Sequence, residues 1–415
     1  MNWTMNNTEY IVAKDNEGMP IVKFLMESLK PRGKWLTPFN IISIPIILLG
    51  LVLIVIRFAK GLGSVTNLTQ EVPWGLWIGF DVVTGVAFAG GAYVITFMVY
   101  IMNMKKYHSI VRVTVLNGFL AYLFYAGALL LDLGRPWKVI NPIIGNNFGV
   151  SSVLFLVAWH FLLYMIAQLI EFSPAIAEWL GKKKARKILS SMTLAAVIFG
   201  ITLSTLHQSG LGALYLMAID KIHPLWYNEF IPILFFVSSI FAGLSMVIFE
   251  GSISHKVFFD QISEKNHQAH NGIIHGLSKV CAVAMFAYFF LHTLIFVHGK
   301  HWNLINTPMG YWYLTEMIGF VLVPMILFFY SYRKQKVFVI KLAALITMIG
   351  IIINRLNVTV IGFKWNATSH YFPSWMEIVV TLTVLFIEIW IFRWIVNRLP
   401  VLRESPTWAQ NNNEH

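Results

Sequence analysis

The sequence predicts an all-α, polytopic membrane protein of about ten crossing helices. Three observations carry that prediction. Hydrophobic residues fill 57% of the 415 positions, and the mean hydropathy is +0.67. Only 12% of residues are charged, about half the share of a soluble domain. Ten apolar runs are long enough to cross roughly 30 Å of hydrocarbon. The implied organisation is an N-terminal segment 1–38, a membrane domain 39–396 and a tail 397–415.

The runs lie near 39–60, 73–102, 112–131, 151–172, 187–208, 229–250, 279–298, 309–331, 336–354 and 373–396. The first closes on Arg57 and Lys60. The second opens at "EVPWG" and carries Asp81 in "WIGFDVVTG" and a Gly90–Gly91 pair. The third ends in "LLLDLGRPWKVINP", the fourth at Glu171 in "LIEFSP". The fifth follows "GKKKARK" and ends at "TLHQSG" with His207. The sixth opens at "EFIP" and ends at Glu250 in "VIFEGSI". The seventh holds Cys281, and the ninth ends just before Arg355. The tenth carries Glu388 in "FIEIW". The stretch "LGALYLMAI" (211–219) is too short to cross and is expected at the interface. The first apolar run exceeds a signal-peptide core, so no cleavable leader is expected.

Loop charge sets the expected orientation. The N-terminus, the loops after runs 2, 4, 6 and 8, and the C-terminus carry 23 of the 31 Lys and Arg, against 8 elsewhere. That bias places both termini in the cytoplasm. It also accounts for the +12 net charge without nucleic acid. One cysteine forms no internal disulfide and holds no iron–sulfur cluster. Eight of fifteen Trp (74, 77, 137, 226, 302, 312, 365 and 375) fall near the outer ends. They form an aromatic belt, a docking surface, or both. Runs 2–5 and 6–9 each open with a Glu before a Pro, a weak sign of two four-helix bundles in a parallel repeat with flanking helices.

Several residues can carry chemistry. At 1.5 Å per residue, Asp81 is expected about 12 Å below Pro73, where an intramembrane acid usually faces a cavity or partner. Asp132 carries the wrong sign for a helix C-terminus. Arg135 is the expected counter-charge, and the pair either caps the helix or binds a polar headgroup. His207, Gln208 and Ser209 make either a capping cluster or a site that hydrogen-bonds a quinone carbonyl and shuttles its proton. The "AGG" segment favours close helix packing. Tyr93 and Tyr122 are candidate relay hydroxyls, or simply buried tyrosines with partners. Glu171, Glu250 and Glu388 lie toward the cytoplasmic side, as helix-end residues or a proton entry. His160 and His292 lie inside runs; with His207 they leave one bis-histidine haem pair geometrically open. His255, His267, His270 and His275 read as a solvated loop, with irregular spacing for a metal site.

The segments "EVPWGLWIGFDVVTGVAFAGGAYVITFMVYIMNMKKYHSIVR", "LLLDLGRPWKVINP", "STLHQSGLGALYL", "HPLWYNEFIPILFF" and "MVIFEGS" resemble the NrfD/polysulfide reductase membrane-subunit family, and its HybB branch in particular. "YFPSWMEIVVTLTVLFIEIW" fits the same branch. The resemblance covers about residues 40–400. It implies a quinone-reactive subunit (menaquinone or ubiquinone) of the cell inner membrane that binds no haem. It also implies a periplasmic ferredoxin-like iron–sulfur partner and a catalytic subunit such as a nickel–iron hydrogenase. Asp81, His207, Gln208, Asp132, Arg135 and Trp74 are the expected quinone-site residues. Tyr122, Glu250, Glu388 and His160 are expected in proton transfer. The family's acid in V-L-F-E is Leu156 here, in "SSVLFLVAWH". That puts proton conduction across the membrane in doubt, unless His160, four residues on, substitutes. Two other readings of the intramembrane acids stay open: a transporter built on the parallel repeat, and a passive anchor for a peripheral complex.

Overall fold

A computed structural model describes residues 21–30, 36–144, 149–368 and 370–403. Most of the expected N-terminal segment, with Lys14, Arg32 and Lys34, lies outside the described residues, as does the tail beyond 403. Ten helices are long and apolar enough to cross a membrane: Pro38–Lys60, Trp77–Ile101, Lys105–Asp132, Val153–Trp179, Lys183–Ala218, Ile231–Val257, Glu264–Gly299, Pro308–Lys334, Val337–Ile361 and Trp375–Val396. These are spans 1 to 10. A short helix, Ile21–Leu29, precedes them.

Spans 2–5 pack as one four-helix bundle and spans 6–9 as a second. Span 2 also runs against spans 6 and 9, so it forms the seam. Spans 1 and 10 pair with each other and lean on span 3. The Gly90–Gly91 pair makes the seam possible. A Cβ on Gly243 of span 6 would sit 2.0 Å from the Gly91 nitrogen, so the backbones meet with no room for a side chain. At one end, an Ile222–Phe363 bridge and the His223 N–H to Gly362 oxygen bond (2.9 Å) tie the 5–6 and 9–10 loops together. At the other, Arg398 donates through Nη2 to the Lys30 oxygen at 2.7 Å. The described N- and C-terminal segments therefore meet at one end of the bundle.

Several helix ends differ from the sequence expectation. Residues 211–218 form no separate element; they continue span 5, because buried Leu211, Gly212 and Tyr215 keep packing against neighbouring helices. Span 7 starts fifteen residues earlier than expected, so His267, His270 and His275 are helical. His267 Nδ1 lies 3.0 Å from His255 Nε2, and the His255 and His270 rings lie 4.0 Å apart. They pack together rather than forming a solvated loop. Glu171 and Glu250 sit inside spans 4 and 6 rather than at their ends.

Candidate functional site

Spans 2–5 bring His207, Gln208 and Tyr122 together in the interior of the first bundle. Span 5 continues eleven residues past His207, roughly 16 Å at helical rise. The imidazole therefore sits within the helix rather than capping it, and it is 3% exposed. Its Nδ1 lies 3.1 Å from the Val157 carbonyl. A carbonyl only accepts, so Nδ1 carries the hydrogen and Nε2 of the neutral ring is an acceptor. Gln208 donates from Nε2 to the Val86 oxygen at 2.8 Å, with the Tyr122 oxygen 3.5 Å away. The Tyr122 ring stacks on Phe161 (5.8 Å) and meets Tyr164 edge-on (4.9 Å). Gln168 donates to the Tyr164 hydroxyl at 3.2 Å. Gln168 Oε1 and the His160 Nδ1 are buried with no hydrogen-bond partner. The cluster thus holds an imidazole, a phenol and two amides beside Phe161, with Gln168 Oε1 unused. His160 is half-buried within electrostatic range of His207. Leu156 is 41% exposed on the outside of span 4.

Asp81 does not join that cluster. It lies in a π-helical stretch, Trp77–Thr84, fully buried, and its Oδ2 accepts from Thr381 of span 10 at 2.9 Å. Asp81 Oδ1 and Asp132 Oδ1 are both buried without a partner. Arg135 is exposed and forms no ion pair with Asp132 among the described residues. Arg57 of span 1 takes the expected place. It donates from Nε to the Leu131 oxygen at 2.6 Å and from Nη2 to the Leu133 oxygen, capping span 3 beside Asp132. Its reach from another helix is why Arg135, three residues on in sequence, is not needed. Trp74 packs on Tyr215 of span 5 (5.6 Å) and on Phe363 (4.6 Å).

Toward the other end, Asn117 donates to Glu250 at 2.5 Å. Both line a cavity of about 40 Å³ that His270 also borders, room for one or two waters. Glu388 lies within electrostatic range of Glu250, and Tyr125 within range of Glu388, Asp81 and Glu250. Tyr93 bonds Ser239 at 2.9 Å across the seam. His292 contacts Tyr288 and Tyr313 in the second bundle, whereas His207 contacts Tyr122 and Phe161 in the first. The two are not brought face to face.

Sequence reading missed three buried carboxylates, Glu178, Glu316 and Glu377. Glu377 forms a capping box with Ser374 and accepts from the Tyr371 hydroxyl and the Asn67 N–H (3.2 Å). The Ser-x-x-Glu spacing in "SWME" was its available signal. Burial, with the bond to Glu377, pushes the Tyr371 phenol above its ordinary value. Glu316 of span 8 accepts from Trp226 (2.7 Å), Asn354 (2.6 Å) and Asn357 (2.6 Å). Arg355, inside span 9, donates to Asn354 (2.8 Å) and Ser238 (2.7 Å) and covers the Phe235 ring. Trp77 and Trp226 are 1% and 3% exposed. They act as buried indole donors, not as belt or docking residues, whereas Trp137, Trp302 and Trp375 are exposed.

Comparison with known proteins returns a family match, described as "Polysulphide reductase, NrfD", over residues 64–367. A relative named only "Protein", from Nitratidesulfovibrio vulgaris, is 42% identical over 385 residues, covering 92% of this chain and 99% of the relative. The "Probable Ni/Fe-hydrogenase 2 b-type cytochrome subunit" of Escherichia coli is 29% identical over 92% of this chain and 96% of its own length. The "Menaquinone reductase, integral membrane subunit" of N. vulgaris is 29% identical over 77% of this chain and 80% of its own length.

Proposed function

The chain belongs to the polysulphide reductase NrfD family, and from that premise we propose that it is the quinone-reactive membrane subunit of a respiratory oxidoreductase complex. The observation that carries this reading is the buried His207–Gln208–Tyr122 cluster, whose imidazole is oriented by the Val157 carbonyl. A quinone would supply a two-electron, two-proton couple at this position. His207 would present Nε2 to a headgroup oxygen, and its Nδ1–H bond would hold the ring through protonation. Tyr122 and Gln208 would fix the second polar contact, and Phe161 would lie along the headgroup plane. Asp81 and Asp132 belong to the adjoining group around spans 1, 2, 3 and 10, and with Trp74, packed on Tyr215 of span 5, would shape the approach rather than touch the same oxygen. Arg135, exposed, would serve at the rim.

Protons would reach the site from the opposite end through Asn117, Glu250, Glu388 and Tyr125, with His160 the group next to His207. The relatives' names speak of a hydrogenase and a menaquinone reductase. For this chain we accordingly propose an iron–sulfur protein as electron partner, itself served by a catalytic subunit. Charge bias puts both termini in the cytoplasm of a bacterial inner membrane. The partner would then dock on the opposite, periplasmic face, where Trp137, Trp302 and Trp375 are exposed.

The test is binding of a menaquinone analogue to the full chain in nanodiscs. His207→Ala should weaken it about five- to tenfold, since one net hydrogen bond is worth about 1–1.5 kcal/mol. Equal affinity in wild type and variant removes the site.

A further inference from the structure

A large cavity lies away from His207, at the end of the bundle where spans 3, 5 and 7 begin. It measures about 1400 Å³, beyond the roughly 300–1,000 Å³ of small-molecule pockets. Seven Lys and Arg line it, among them Lys105, Lys106, Lys187 and Lys265, against one carboxylate, Glu171. Two more of the seven, Arg112 and Arg186, form its floor. Glu178, fully buried, clamps Arg112 in a two-bond fork (2.8 and 2.9 Å) and takes Arg186 Nε at 3.2 Å. The Glu178 charge is thereby spent on the floor, and the four lysines form no ion pair among the described residues. Below the basic rim the wall turns apolar, through Val111, Val115, Phe172, Ile273 and Leu194, the last 52% exposed.

Topology alone accounts for basic loops, but not for this arrangement. Lys105, Lys187 and Lys265 come from three different helix starts, where the helix dipole already adds positive potential. Converging like charges there repel unless an anion is shared between them. The ligand must carry a compact anionic group for the rim and an apolar body for the wall.

We propose that this cleft binds the phosphate headgroup of an anionic phospholipid, with its acyl chains along spans 3, 4, 5 and 7. Basic pockets between crossing helices favour such headgroups, at roughly fivefold in affinity for each cation.

The full chain, purified and placed in nanodiscs, tests it by native mass spectrometry and thermal unfolding. Probes are phosphatidylglycerol, cardiolipin, phosphatidylcholine and inorganic phosphate. The wild type should retain and be stabilised by the two anionic lipids over phosphatidylcholine. The triple change Lys105→Gln, Lys187→Gln, Lys265→Gln should cut that retention on the order of 100-fold, and the Arg triple should restore it. All three lysines are exposed, so unfolding in phosphatidylcholine alone should not shift. Equal retention of phosphatidylcholine, or retention unchanged in the Gln triple, overturns the proposal. Stabilisation by inorganic phosphate equal to that by lipid also overturns it, making the cleft a small-anion site.

Discussion

Glu316→Gln tests whether the second bundle is held by one carboxylate. Oε2 of Glu316 accepts from Trp226 and Asn357, and Oε1 from Asn354. All three partners donate, and the side chain is 2% exposed, so the position is built for a group that only accepts. A glutamine has one acceptor oxygen. Placed toward Trp226 and Asn357, it leaves its NH₂ facing the Asn354 amide; placed the other way, it loses two bonds. The smallest loss is therefore one bond to a charged group, about 1.5–3 kcal/mol. Bonds inside membranes average nearer 0.6 kcal/mol, which pulls the expectation to about 2 kcal/mol. Equilibrium unfolding in mixed SDS–detergent micelles reads this directly. Trp226→Phe should cost less on the Glu316→Gln background than on the wild type. Destabilisation below about 0.5 kcal/mol, or strictly additive variants, would refute the reasoning.

Three further outcomes are expected. Gly243→Val should abolish monodisperse folded protein on fluorescence-detected size exclusion, because its Cβ would lie 2.0 Å from the Gly91 nitrogen and overpacking of that depth costs roughly 3 kcal/mol or more; Gly251→Ala, with open space around it, should change nothing measurable. Arg57→Met should speed hydrogen exchange at the end of span 3, residues 128–134, by one to two orders of magnitude, since about 1.5–3 kcal/mol of capping is removed; Lys at this position should rescue only partly, lacking the fork. Burial, with His301 nearby, holds His223 below its ordinary value, and its Nδ1 accepts from the Leu225 N–H at 3.2 Å. A depressed histidine contributes stability above about pH 6.5 that is lost as pH falls. Exchange in residues 219–230, corrected for intrinsic rate, should therefore rise between pH 7.5 and 5, and His223→Gln should flatten the profile.

Hydropathy alone located all ten spans, and the Gly90–Gly91 pair announced a close helix approach. Both signals are local: hydrocarbon thickness fixes the length of an apolar run, and a missing Cβ is visible in the letters. Ends of helices were less legible. His207, Glu171 and Glu250 read as terminal because polar residues followed them, yet neighbouring helices bury those stretches and keep them wound.

His207, Gln208 and Tyr122 could be chosen from sequence as candidates, but their meeting depends on how spans 3 and 5 face each other. Asp81 looked like their companion and instead turned to Thr381, 300 positions away. Arg135 was the near cation, whereas Arg57, 74 residues from Leu131, does the capping. What the sequence by itself determined was the number and approximate place of the crossings, since those follow from transfer of each segment between water and lipid. Only the tertiary structure decided which acid meets which donor. In hydrocarbon a buried polar group must find its partner within the protein, and that partner is set by the rotation and contact of helices distant in the chain.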